Sequence, residues 1–137
     1  MQKVGGLYAE SKIHEYLPQE AQLFNLFTRL MRAARMFMDP MINTGQLMPE
    51  QAVEFMVEQT ALSLAMAKSE ADRYSFLMPG QATSYYFGYM NLMRLRTEIE
   101  IALGDEFNQR DFHDFILEQG LLSPDLLRET VLQNFVQ

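Results

Sequence analysis

The sequence predicts an all-α fold, a bundle of six or seven helices with short connections. Apolar residues recur at three- and four-residue steps along most of the chain. Proline, glycine, serine and asparagine fall where helices start and stop. No segment shows the strict alternation of a strand, and no repeat, low-complexity tract or linker divides the 137 residues, so one helical domain over 1–137 is expected.

The elements follow in order. Gly5-Gly6 suggests a flexible opening, and Leu7 to Tyr16 a short helix. Pro18 suits the first turn of the next helix, which runs to Met38. Its apolar positions are Leu23, Phe24, Phe27, Leu30, Met31, Ala34 and Phe37, and Asp39-Pro40 is expected to end it. Arg29, Arg32 and Arg35 form a basic stripe, either solvated or facing carboxylates of a neighbouring segment. A loop with Asn43 and Gly45 leads to a helix from Pro49, with Glu50 in the first turn, where the helix dipole favours it. A break near 59–63 precedes a helix to Leu77. Pro79-Gly80 forms a corner between two long helices, the second running from Gln81 to Leu103 and stopping at Gly104. Asn108 caps a helix over 109–119 that Gly120 ends, and Ser123 with Pro124 opens the last one. Leu126, Leu127, Val131, Leu132 and Phe135 give that helix its buried side.

Composition narrows the function classes. Hydrophobic residues at 48% can build a sizeable core. A net charge of -7 argues against a nucleic-acid partner, which needs clustered Lys and Arg. The absence of cysteine excludes disulfides and thiolate metal sites. No apolar run approaches the ~18 residues of a membrane span, and no signal-peptide pattern opens the chain. As written the chain is expected to be cytoplasmic, an inference that fails if it is cut from a longer protein. Eleven methionines, three of them in MFMDPM at 36–41, suggest a soft core or an adaptable partner surface.

Few residues can carry chemistry. His14-Glu15 looks like the start of an HExxH zinc helix, but position 18 is proline and no second histidine follows one turn on. His113, between Phe112 and Asp114, suits a packed or capping role. No Ser-His-Asp set or glycine-rich phosphate loop is present. The Pro79-Gly80 corner stands apart, with Arg73, Tyr74, Gln81, Tyr85, Tyr86 and Tyr89 gathered around it. Gln81 and Tyr85 share a helix face that Gly88 continues. A phenol and an amide at a helix start could donate to a carbonyl or oxyanion. Equally, buried tyrosines at a helix-helix corner find backbone partners.

The series LYAE, RxxR with a nearby Asp, EQA, DRY, PGQATSYYFG, MRLR and FHDFILEQGLLSPDLL resembles the C-terminal part of a bacterial family. That family is catalogued as domain of unknown function 885 and is similar to helical zinc metallopeptidases of the gluzincin type. The resemblance runs from about Leu7 to Phe135, and DRYSFLMPGQATSYYFG is its specific core. It implies a helical architecture and a peptidase-like cleft, with zinc held by full-length members through an HExxH helix upstream of the matched region. The family pattern EGWA before LYAE, with a glutamate suited to ligate zinc, is replaced by Lys3, Val4, Gly5 and Gly6, and a family histidine by Asn43. Arg73, Tyr74, Gln81 and Tyr85 match. Carried over, they would line a cleft and orient a peptide carbonyl without binding metal.

The expectation is therefore the C-terminal helical region of a zinc-metallopeptidase-like protein, with no cofactor or catalysis of its own and a peptide as a candidate ligand. The alternatives are a free-standing interaction module, homodimeric or paired with a missing N-terminal half, and one half of a split peptidase.

Overall fold

The computed structural model describes residues 2–136, and side chains from Gly5 to Val136. Seven α-helices are formed and no strand occurs among the described residues: α1 (Gln2–Lys12), α2 (Gln19–Asn43), α3 (Pro49–Thr60), α4 (Leu64–Asp72), α5 (Gln81–Leu103), α6 (Gln109–Glu118) and α7 (Pro124–Asn134). Helix α5 is the shared element: α1 and α2 pack along it, and α7 closes on its far half.

The caps explain most boundaries. Ser63 Oγ accepts the Met66 N–H, Asn108 Oδ1 accepts those of Arg110 and Asp111, and Ser123 Oγ accepts that of Leu126. Between α3 and α4 the break falls at Ala61, in the left-handed region at φ 55°. The chain after α4 widens into one π turn, Arg73–Leu77, closed by the Met78 N–H donating to the Arg73 carbonyl at 2.8 Å. A single helix over 62–77 was expected there, and the π turn is the departure. Such turns insert a residue into the ladder and re-aim the side chains that follow.

Three expectations are corrected. Helix α1 begins at Gln2 and includes Gly5 and Gly6, and the stretch to Tyr16 is a separate 3-10 turn, His14–Tyr16. Helix α2 does not end at Asp39-Pro40 but continues to Asn43. Pro40 has no N–H to give to the Met36 carbonyl, and that carbonyl accepts the Thr83 hydroxyl of α5 at 3.3 Å instead. The bond missing from α2 is thus replaced by a link between helices. Lastly, Leu23, Phe24, Leu30 and Phe37 of α2, and Leu126 of α7, are exposed. The buried side of α2 is Met31, Ala34, Met38 and Asp39.

The buried residues form two cores. The first joins α2, α3, α4 and the start of α5 through Met31, Met38, Ala52, Met56, Ala67, Ala71, Tyr74 and Ala82. The second joins the end of α5 to α6 and α7 through Leu95, Ile99, Phe112, Leu127 and Val131.

Candidate functional site: the Pro-Gly corner

Asp39 organises the corner. Its carboxylate is fully buried and sits on the first turn of α5. Oδ1 accepts the Gly80 N–H at 2.7 Å and the Asn43 side-chain amide at 2.9 Å, and Oδ2 accepts the Ala82 N–H at 2.8 Å. These are donors that the start of a helix leaves without intrahelical partners, and the helix dipole favours an anion there. Gly80 lies at φ 77°, a region where a side chain is strained. Asn43 also donates to the Asp39 and Tyr74 carbonyls, at 2.8 and 3.2 Å, tying α2 to the π turn.

Beside it lies a second carboxylate, Glu70, largely shielded from solvent. It accepts the Tyr74 hydroxyl and pairs with Arg35 at 2.9 Å and Arg73 at 3.7 Å. Arg73 in turn donates to Gln81 Oε1 across the corner at 2.9 Å. Arg35 comes from the basic stripe of α2, and Arg32 of that stripe pairs with Glu10. Two of the three stripe arginines therefore meet carboxylates of neighbouring segments, while Arg29 donates to Asn25 on its own helix.

Of the expected residues, Arg73, Tyr74 and Gln81 are joined through Glu70. Tyr85 lies half-buried one turn beyond Gln81 on α5. Tyr74 is fully buried, and burial first, then its bond to Glu70, pushes its phenol well above the ordinary value. It stays a neutral phenol that keeps its proton and donates a hydrogen bond to Glu70. Arg73 and Gln81 are half-buried at the surface. With its oxygen taken by Arg73, Gln81 offers a ligand its N–H donors.

Sequence reasoning missed Asp39 and Glu70 as the centres of the set. Glu70 stands three residues before Arg73 and four before Tyr74, the spacing of neighbours on a helix face. Asp39 continues the buried positions of α2 past Met38, masked by the proline after it.

The histidines lie elsewhere. His14 Nδ1 is 3.1 Å from Asn25 Oδ1. His113 Nε2 shares a 2.8 Å hydrogen bond with the Tyr8 hydroxyl, and the two rings meet edge to face at 5.4 Å. Burial pushes the Tyr8 phenol up to about 12, and burial with the nearby Arg96 guanidinium holds the His113 imidazole below its ordinary value. His113 is a packed histidine, as its sequence context suggests. An apolar groove of about 740 Å³ runs between α5, α6 and α7, past Phe87, Gly88, Leu117 and Leu121, with Gly5 of α1 at its side.

The profile of the family described as "Bacterial protein of unknown function (DUF885)" matches residues 6–131. The chain belongs to this family. A solved structure, described as a "putative lipoprotein" from Colwellia psychrerythraea, superposes with a TM-score of 0.84 at 31% identity over 93% of this chain. The chain covers 22% of that protein, about a fifth of its length. Among curated proteins nothing matches.

The zinc implied for full-length relatives was tested against the residues present. Among the described residues no three His, Asp or Glu side chains gather to hold a metal. Both histidines are engaged in hydrogen bonds to other side chains, and Asp39 and Glu70 are engaged by backbone, guanidinium and phenol donors. The donor set does not fit a catalytic zinc, which needs three protein ligands. Lys3 and Val4 have side chains outside the described residues, and Asn43 points its amide at Asp39.

Proposed function

We propose that the chain is the C-terminal helical region of a zinc-metallopeptidase-like protein, supplying a substrate-side wall without metal or catalysis of its own. The observation that carries this is Arg73, clamped between Glu70 and Gln81 at the mouth of the corner. A guanidinium and an amide preorganised on a rigid corner suit a peptide carbonyl or carboxylate, because they lose little freedom on binding. Tyr85, on the Gln81 face, extends the wall. Tyr74 acts from beneath it, by holding Glu70. The span of a fifth of the Colwellia protein supports a contribution to a larger fold.

The test is to incubate the purified chain with zinc, dialyse it, and measure bound metal and peptide hydrolysis. The expected result is far less than one zinc per chain and no hydrolysis. Stoichiometric zinc retained with hydrolysis would overturn the proposal.

A free-standing interaction module, or one half of a split peptidase, draws instead on the exposed apolar side chains of α2. As to compartment, among the described residues no helix is long and apolar enough to cross a membrane. The match to a protein described as a lipoprotein supports an exported or membrane-anchored setting rather than the cytoplasmic one suggested by the sequence.

A further inference from the structure

Helix α2 carries two apolar stripes; this chain buries one and touches the other only at its end, where the Phe37 ring meets Phe55 of α3 edge to face at 5.1 Å. Met31, Ala34 and Met38, with Phe27 beside them, face the first core. Leu23, Leu26, Leu30, Ala33 and Phe37 form the second, at alternating three- and four-residue steps. That spacing keeps side chains along one seam of a helix. At ~100° per residue the seam lies roughly 100° around α2 from the core stripe. Leu23 is 71% exposed, Leu26 47%, Leu30 48% and Phe37 39%. No charged residue falls within the seam.

We propose that this seam seats an amphipathic helix, aliphatic at the same three-four spacing, from the part of the family fold that this chain does not span. A three-four aliphatic seam is complementary to another helix, whose side chains fill the gaps between its own. The Colwellia protein matches 93% of this chain with only 22% of its length, so most of that protein lies outside the matched stretch and can supply such a helix. A second copy is the weaker occupant. From Leu23 to Phe37 the seam is only about 21 Å long, and one such helix pair falls short of the roughly 800 Å² per partner of stable complexes. A helix already held in a larger fold does not carry the whole cost of association through this seam. The inference needs the family's fold and not its chemistry, so it and the zinc measurement fail separately.

The experiment co-expresses the tagged 137-residue chain with a probe, the Colwellia sequence outside the matched stretch. The two are expected to co-purify in equal amounts. Leu26→Glu with Leu30→Glu should lower recovery of the complex by about 30-fold or more. Leu26→Met with Leu30→Met should retain it, with unchanged circular dichroism for both pairs. Should the glutamate pair unfold the chain, Leu23→Glu at the most exposed seam position carries the same test. Failure to co-purify, recovery indifferent to the glutamates, or a homodimer that the glutamates split would each overturn the proposal.

Discussion

The two cores are built differently. Around the Pro79-Gly80 corner most of the buried side chains are alanine and methionine, packed about Leu62 and the Tyr74 ring, with Asp39 buried among them and Glu70 beside them. At the other end of α5 the buried side chains are Leu95, Ile99, Phe112, Leu127 and Val131, with Phe107, Phe115 and Phe135 packed against them. Alanine and methionine constrain geometry weakly. Polar contacts do that work at the corner: Asp39 fixes where α5 starts, and Glu70 fixes Arg73 and Tyr74. Interlocked aromatic and branched side chains need no such help. At the corner these polar contacts hold Arg73 and Gln81 in place.

The comparison can be broken most directly at Phe112, which is fully buried with Phe107 and Phe135 rings 5.8 and 5.9 Å away. Phe112→Ala is expected to lose about 4 kcal/mol in urea unfolding, because a large cavity opens in a packed core. A loss below about 1 kcal/mol would show that the second core is not held by packing.

Asp39→Ala should cost less, about 3 kcal/mol, since it strands the Gly80 and Ala82 N–H groups and takes one of three acceptors from the Asn43 amide. Asp39→Asn, which keeps one acceptor oxygen, should recover about half of that. Equal melting temperatures for Asp39→Ala and the unsubstituted chain would remove Asp39 as the organiser of the corner.

A smaller effect, about 1 kcal/mol, is expected for Tyr74→Phe, which deletes one donor to Glu70 and keeps the ring. Its diagnostic readout is the amide exchange rate of the π turn, which should rise while that of α6 and α7 stays unchanged.

The smallest effect is one of pH. The folded chain holds His113 below its ordinary value, so it binds the imidazole proton less readily than the unfolded chain does. The stability associated with neutral His113 is present above the unfolded value of about 6.5 and declines as the pH falls below it toward the folded value. Thermal melts should therefore show a modest acid limb below pH 6.5, and His113→Asn should flatten it. An unchanged limb in that variant would assign the acid sensitivity to other groups.

How much of this was legible depends on the range of the interactions. Pro49, Gly104, Asn108, Ser123 and Pro124 act on residues a few positions away, and the helices they bound stand where expected. Pro40 misled for the same reason. Locally it stops a helix, and it is Thr83, 47 residues beyond Met36, that takes up the Met36 carbonyl Pro40 leaves without a partner. The corner was legible as a place, because Arg73, Tyr74 and Gln81 cluster in the sequence. Its wiring was not, because the carboxylates accept donors from segments far apart, Asp39 from Gly80 at a separation of 41 residues.

The sequence by itself determined an all-α chain, the order of its helices and the turn at Pro79-Gly80, since periodicity and capping are local properties of the backbone. Tertiary structure decided which of the two apolar stripes of α2 is buried, which carboxylates the basic stripe meets, and that Tyr74 faces inward. Both stripes of α2 satisfy the same helical period, and only the placement of α3, α4 and α5 against one of them breaks the tie.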